Sequence, residues 1–165
     1  SEATALEQAV TSMSREPFDL GAVVRGCIEG YRDVYDNRLF EYESDAGIAN
    51  VLGSADLIAQ MLDKLVDNAV SFSAPGSTIS IGLTTAGEGH VISVANEGPT
   101  LPASMRTSLF DSLVSIRDQD DHKGHLGLGL YVVALIAEFH QGTVDARDLP
   151  DGSGVVFTVT LPTGN

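Results

Sequence analysis

The sequence predicts an α/β fold, and three observations carry the prediction. Apolar side chains recur every three to four positions over about 20–36, 56–72 and 128–139, the spacing of amphipathic or buried helices. Short runs around 38–45, 49–52, 79–83, 91–94, 143–146 and 155–161 are strand-like, several with apolar and polar residues in alternation. Turn-forming clusters such as Ser73-Ala74-Pro75-Gly76, Ala86-Gly87-Glu88-Gly89 and Pro150-Asp151-Gly152 separate these runs.

Residues 1–15 have loosely helical apolar spacing, and Pro17 is expected to end that helix. Asp19 is placed to cap the next, where Leu20, Val23, Val24, Cys27, Ile28 and Tyr31 share one stripe. Phe40 and Tyr42 alternate with Glu41 and Glu43 as a strand, and 49–52 reads as a short second one. Asp56 is the expected cap of a third helix with a wide stripe from Leu57 to Val70. Ile79, Ile81 and Leu83 then alternate, and a hairpin turn returns the chain through 91–94. From Asn96 to Gly129 the pattern breaks into polar, glycine-rich and charged sequence with one short helical stretch over 104–113. A connection of that length in a compact domain is usually functional. Residues 128–139 are almost wholly apolar, so the helix they form is expected to lie buried against a sheet, before a closing hairpin over 143–161.

The bulk numbers bound the function. At 165 residues the chain suits one domain with a true core, and 43% hydrophobic with 19% charged residues fits a globular protein. A net charge of −14 argues against nucleic acid as a partner, which needs a cationic face. It also means that a bound phosphate must be neutralised locally. One cysteine, Cys27, excludes an internal disulfide and a cysteine-based metal cluster.

Three constellations carry chemistry. On a helix Lys64, Asp67, Asn68 and Ser71 fall at i, i+3, i+4 and i+7, so they share one polar face opposite the leucines. That face reads either as solvated or as a site in which the Asn68 carbonyl offers a hard neutral ligand suited to Mg2+. Asn96-Glu97-Gly98-Pro99-Thr100-Leu101-Pro102 reads either as a plain turn or as one bringing backbone close to a flat ligand, with Asn96 accepting from an exocyclic amine. Gly124-His125-Leu126-Gly127-Leu128-Gly129-Leu130 leads into the apolar helix and serves either tight packing or an anion at the helix start. It is not a Walker loop, since no Gly-Lys-Ser/Thr follows, and the polar 117–123 before it rules out a dinucleotide fingerprint.

In order and spacing these boxes resemble the GHKL superfamily of ATPases and kinases, and within it the catalytic domain of sensor histidine kinases. The N box is similar to Leu65-Val66-Asp67-Asn68-Ala69 with Phe72 as its aromatic. The first glycine box is similar to Asn96-Glu97-Gly98-Pro99-Thr100, the phenylalanine box to Leu109-Phe110-Asp111-x-Leu113, and the second glycine box to Gly127-Leu128-Gly129-Leu130. The resemblance implies the Bergerat fold, a two-layer α/β sandwich whose mixed, mainly antiparallel sheet carries three helices on one face. It implies ATP and Mg2+ as cofactors, with Asn68 holding the metal. Asn96 takes the adenine-reading place, Gly98 shapes the adenine pocket, Gly127 and Gly129 contact the phosphates, and Phe72, Leu101, Leu126 and Leu128 complete the implied cofactor-binding set. Residues 103–126 are the implied ATP lid within a catalytic domain spanning 16–165, and 1–15 the implied stub of a phosphoacceptor helix.

The chain departs from the family pattern at three places. Asn96 stands where an Asp is usual, Thr100 replaces a glycine, and Ser71 stands where many members have a basic residue. Lys64 and Arg117 are the candidates to supply the missing positive charge. Lys64 also occupies the position, four residues before Asn68, where ATP-hydrolysing relatives carry the Glu that activates water. A lysine is a poor base at neutral pH, so phosphoryl transfer is expected and hydrolysis is expected to be slow.

Of the four histidines, His90 and His140 read as structural, while His122 and His125 fall in the lid. None lies in an amphipathic helix ahead of the domain, so the resemblance implies an acceptor histidine outside these residues, on a helix hairpin of the same or a partner protomer. It further implies a downstream response regulator and a homodimeric full-length protein anchored in the bacterial inner membrane, with this domain cytoplasmic. The alternatives within the superfamily are a degenerate, regulatory pseudokinase and an anti-sigma-factor-type serine kinase.

Overall fold

The computed structural model of the chain describes residues 2–101 and 124–164. Helix α1 spans Glu2–Ser12 and is followed by strand β1, Glu16–Asp19. Pro17 therefore sits inside a strand that the sequence reading missed. Four residues without alternation give no period to detect, and a two-stranded ribbon tolerates proline because one edge has no ladder to complete. Its antiparallel partner is β3, Asn50–Gly53, with Pro17 opposite Leu52.

Helix α2, Leu20–Val34, starts where expected, since the Asp19 carboxylate accepts from the Gly21 N–H at 3.1 Å. Helix α3, Ala55–Ser71, corrects the expected cap. Ser54, not Asp56, is the N-cap, its Oγ accepting from the Leu57 N–H at 3.2 Å, while Asp56 lies in the first turn. An acidic residue there favours the helix dipole without capping it.

The main sheet has the order β2-β4-β5-β7-β6, from Leu39–Ser44, Thr78–Ala86, Gly89–Glu97, Gly154–Pro162 and Thr143–Asp148. The β2–β4 pair is parallel and the other three are antiparallel, so the sheet is mixed and mainly antiparallel. Helices α2, α3 and α4 (Gly124–Phe139) pack on one face of it, and α1 packs on α4. This is the two-layer sandwich that the resemblance implies.

Register explains the core. Ile81, Val94 and Phe157 stand in one row across β4, β5 and β7, and Leu83, Ile92 and Val159 in the next. All six are buried beneath Leu62, Leu65 and Val66 of α3 and Val133 and Ile136 of α4. Each fully buried aliphatic side chain contributes about 1.5–3 kcal/mol. Helix α4 begins at Gly124 and not at Leu128, because glycines weaken a helix without forbidding it and an apolar run follows. The expected helix at 104–113 lies outside the described residues. Among the described residues no helix is long and apolar enough to cross a membrane.

Candidate functional site

The C-terminal half of α3 carries the first group. Its apolar stripe is buried, which turns Lys64, Asp67, Asn68 and Ser71 away from the core, as their spacing predicts. Asp67 and Ser71 are exposed, and the Ser71 hydroxyl donates back to the Asp67 carbonyl at 3.0 Å. Asn68 differs from both. Its Oδ1 is buried and has no hydrogen-bond partner. Most buried polar atoms are paired, so an orphaned amide oxygen marks a place prepared for a donor or a hard cation.

The second group hangs from the end of β5. The strand runs to Glu97, three residues beyond its expected apolar core, so Asn96 is a strand residue opposite Ile79 on β4 and Val155 on β7. It is a polar residue in an otherwise apolar, helix-facing row and only 3% exposed. Its Nδ2 donates to the Glu97 carbonyl at 3.1 Å, which leaves Oδ1 as the atom available to accept from a ligand.

Gly98 then turns the chain against the end of α3. Its φ is +153°, and a Cβ there would run into the carbonyl oxygen of Phe72, the C-cap of α3. Only glycine lets these two backbones meet. The turn is fastened from the other side, since the Gly98 N–H donates to the Ser153 carbonyl at 2.9 Å and the Leu101 N–H to Asp148 Oδ1 at 2.9 Å. Phe72 and Leu101 are partly buried against the core. The structure thus gathers Asn68, Phe72, Asn96, Gly98 and Leu101, distant in sequence, around the junction of α3 and β5.

The third group is on α4. A Cβ on Gly129 would lie 3.9 Å from both Cβ and Cδ of Lys64, so the lysine stem runs along the α4 backbone. At the other ends of the two helices the Ser54 N–H reaches His140 Nε2. These two contacts make α3 and α4 antiparallel neighbours and set residues near 125 opposite Asn68. Gly124, His125, Leu126 and Gly127 are the first four residues of α4, whose N–H groups have no acceptor within the helix, an arrangement suited to an anion. Leu128 and Gly129 follow within the helix. Arg117, the phenylalanine box and residues 103–123 of the expected lid lie outside the described residues, while 124–126 form the first turn of α4.

Two supports were not foreseen. Arg38, 9% exposed, donates through Nη2 to the Val70 and Ser73 carbonyls at 3.0 and 2.8 Å and through Nε to Ser73 Oγ at 2.9 Å, bracing the end of α3 beside Phe72. Arginine in a charged-looking loop gives no sequence signal for this role. The Tyr31 hydroxyl donates to Asp63 Oδ1 at 2.7 Å and ties α2 to α3. Burial first, then the Asp63 carboxylate, pushes the Tyr31 phenol up, so it stays neutral. His140 and His90 are 3% and 5% exposed and serve structure, as expected, His90 through Thr85 Oγ1 at 2.9 Å. Among the described residues no cluster of His, Cys, Asp and Glu could hold a metal ion by itself. A metal here would rest on Asn68 and on ligand oxygens.

Known proteins resemble this chain in sequence and fold. The heme sensor protein HssS of Staphylococcus haemolyticus is 34% identical over 131 residues, covering 79% of this chain and 28% of that protein. The sensor-like histidine kinase SenX3 of Mycobacterium tuberculosis is 29% identical over 163 residues, covering 98% of this chain and 40% of that protein. The chain therefore spans well under half the length of these curated relatives. The nucleotide-free catalytic domain of the histidine kinase ThkA superposes with a TM-score of 0.78 at 25% identity, over 92% of this chain and 97% of that one. ThkA is also known in complex with the response regulator TrrA, a fold match of TM-score 0.76 at 21% identity covering 99% of this chain and 47% of that one. Residues 53–165 match the family described as histidine kinase-, DNA gyrase B- and HSP90-like ATPase, and the chain belongs to that family.

Proposed function

We propose that this domain is the catalytic part of a two-component sensor histidine kinase, which binds ATP with Mg2+ and transfers the γ-phosphate to a histidine outside these residues. ATP binding follows from the family. The observation that supports the rest is the buried, unpartnered Asn68 Oδ1 beside the Phe72–Gly98 junction. A neutral amide oxygen without a partner fits a cation that keeps most of its waters and is shared with phosphate oxygens. When bound, Mg2+ would neutralise charge developing on the phosphates.

The chain's own residues divide the remaining work. Asn96 Oδ1 accepts from the adenine amino group, while Phe72, Gly98 and Leu101 form the walls about the base. The free N–H groups of the first turn of α4, those of Leu126 and Gly127 among them, face the phosphates, Leu128 and Gly129 back that turn, and Lys64 and Arg117 supply positive charge. In the transfer the bond from the γ-phosphorus to the bridging oxygen breaks, ADP leaves, and a bond to an imidazole nitrogen of the acceptor forms. Lys64 stands in for the hydrolytic Glu and leaves water unactivated. A response regulator downstream, a helix hairpin bearing the acceptor, and a membrane-anchored homodimer as the full-length form complete the reading.

Incubating the domain with Mg-ATP labelled at the γ-phosphate and a separate phosphoacceptor helix hairpin tests it. The expected product is an acid-labile, base-stable phosphohistidine on the hairpin, with slow release of free phosphate in its absence. An acid-stable phosphoserine, or hydrolysis unaffected by the hairpin, contradicts the reading. ATP affinity should fall about tenfold in Lys64→Ala or Arg117→Ala, the scale of one charge-assisted hydrogen bond. Unchanged affinity in both variants removes these residues from the site.

A further inference from the structure

The imidazole of His140 lies where four elements meet. It follows the last residue of α4 and is almost fully buried. Its Nε2 accepts from the Ser54 N–H at 3.0 Å, so the proton is on Nδ1, which donates to the Ile136 carbonyl at 2.7 Å. Phe18 of β1 and Phe139 of α4 meet the ring edge-on, with centroids 6.4 and 5.0 Å away. A Cβ on Gly53, the last residue of β3, would clash with the Cδ2–Nε2 edge of the ring. Both nitrogens are thus committed, and only the neutral ring with its proton on Nδ1 satisfies both bonds.

Ser54 is the N-cap of α3, so this bond joins the start of α3 to the end of α4. Because the helices are antiparallel, the same pair of helices meets again at Lys64 and Gly129, and the first turn of α4 comes level with Asn68. We propose that His140 is a positioning residue for the nucleotide site: the neutral ring fixes the register of α4 on α3, and protonation of the ring releases it. This rests on the reading of Asn68 and the first turn of α4 as parts of that site. A protonated Nε2 would present N–H to the Ser54 N–H, donor against donor, at the joint that aligns the two helices.

The surrounding charges oppose a second proton. Arg15, ahead of β1, lies 4.7 Å over the Phe139 ring and donates from Nε to the Phe139 carbonyl at 2.8 Å, which places a fixed positive charge beside the imidazole. Glu16 of β1 and Asp56 of α3 line a cavity of about 500 Å³ beside Ser54, and Glu138 of α4 is exposed, but both ring nitrogens are already taken by backbone. Burial, the largest influence, and Arg15 lower the His140 pKa below the ordinary 6.5, against the pull of the Ile136 carbonyl. The released form therefore takes up a proton first. The joint is fully set above pH 6.5 and weakens as pH falls below it, by up to about tenfold in its closed-to-open ratio per pH unit.

The experiment uses the whole chain and follows three signals between about pH 8 and 5.5, the range in which a histidine titrates. These are the His140 ring nitrogens and the Lys64 and Gly129 backbone amides by NMR without nucleotide, and Mg-ATP affinity by calorimetry. In the wild type the two amides should shift along the curve on which His140 charges, and ATP affinity should decline on that curve by at least threefold. In His140→Gln, whose carbonyl can still accept from Ser54 and does not titrate, binding at pH 7.5 should be retained and its decline on acidification lost. Amides that ignore His140 as it charges overturn the proposal, as does His140→Gln following the wild-type pH profile. Should that variant fail to fold, the wild-type amide titration alone decides. A wild type that binds no ATP at any pH while its Lys64 and Gly129 amides track His140 refutes the kinase reading and leaves the joint standing.

Discussion

Asn68 holds a buried oxygen that the fold leaves without a partner, and such an atom destabilises a folded protein by about 1–3 kcal/mol. The strain is useful only if a ligand completes it. Asn68→Leu should therefore leave the melting temperature of the free domain equal to or above that of the wild type, while the gain in ATP affinity on adding Mg2+ disappears. Thermal melts with and without Mg-ATP check both halves, and a less stable variant that keeps its Mg2+ effect would show that the oxygen has a structural partner instead. Gly98 makes the opposite prediction. Gly98→Ala must part the turn from the Phe72 carbonyl, so it should cost about 1–3 kcal/mol in denaturant unfolding and weaken ATP binding together.

At the scale of elements, α3 is the spine of the site, and its two ends are held by different devices. Ser54 and His140 fix its start, while Arg38 gathers the Val70 and Ser73 carbonyls at its end. Arg38→Ala should destabilise the domain by about 2–4 kcal/mol, since charge-assisted bonds to part-buried carbonyls are lost, with Arg38→Lys recovering part of it. A change below about 0.5 kcal/mol in urea unfolding, the range of ordinary surface substitutions, would place Arg38 among them. The elements themselves were largely legible. Stripes such as Leu57–Ile58–Met61–Leu62–Leu65 and alternations such as Ile79–Ile81–Leu83 state their period openly, because each buries one face. The misses have local causes. β1 is too short to show a period and contains Pro17, Ser54 and Asp56 are both good cap residues, and the glycines of 124–129 conceal a helix start. Of the site, Asn96, Phe72 and Gly98 were legible from their boxes in the sequence, while the contacts between distant segments, Phe72 with Gly98 and Ser54 with His140, leave no sequence signal.

At the scale of the whole molecule, a chain with net charge −14 can hold a polyanion only if amides, cations or metal neutralise it locally. Long-range attraction contributes nothing and repulsion must be overcome. Mg-ATP affinity should accordingly stay level or rise between about 50 and 500 mM salt, where the Debye length shrinks from roughly 14 to 4 Å. Affinity falling steeply with salt would instead point to a cationic surface. Isothermal titration of ATP into the domain, with and without Mg2+, probes the nucleotide site itself. Saturable binding is expected within the micromolar to millimolar range typical of enzyme substrates, tightened by Mg2+. The absence of binding at about 1 mM nucleotide under both conditions would contradict it.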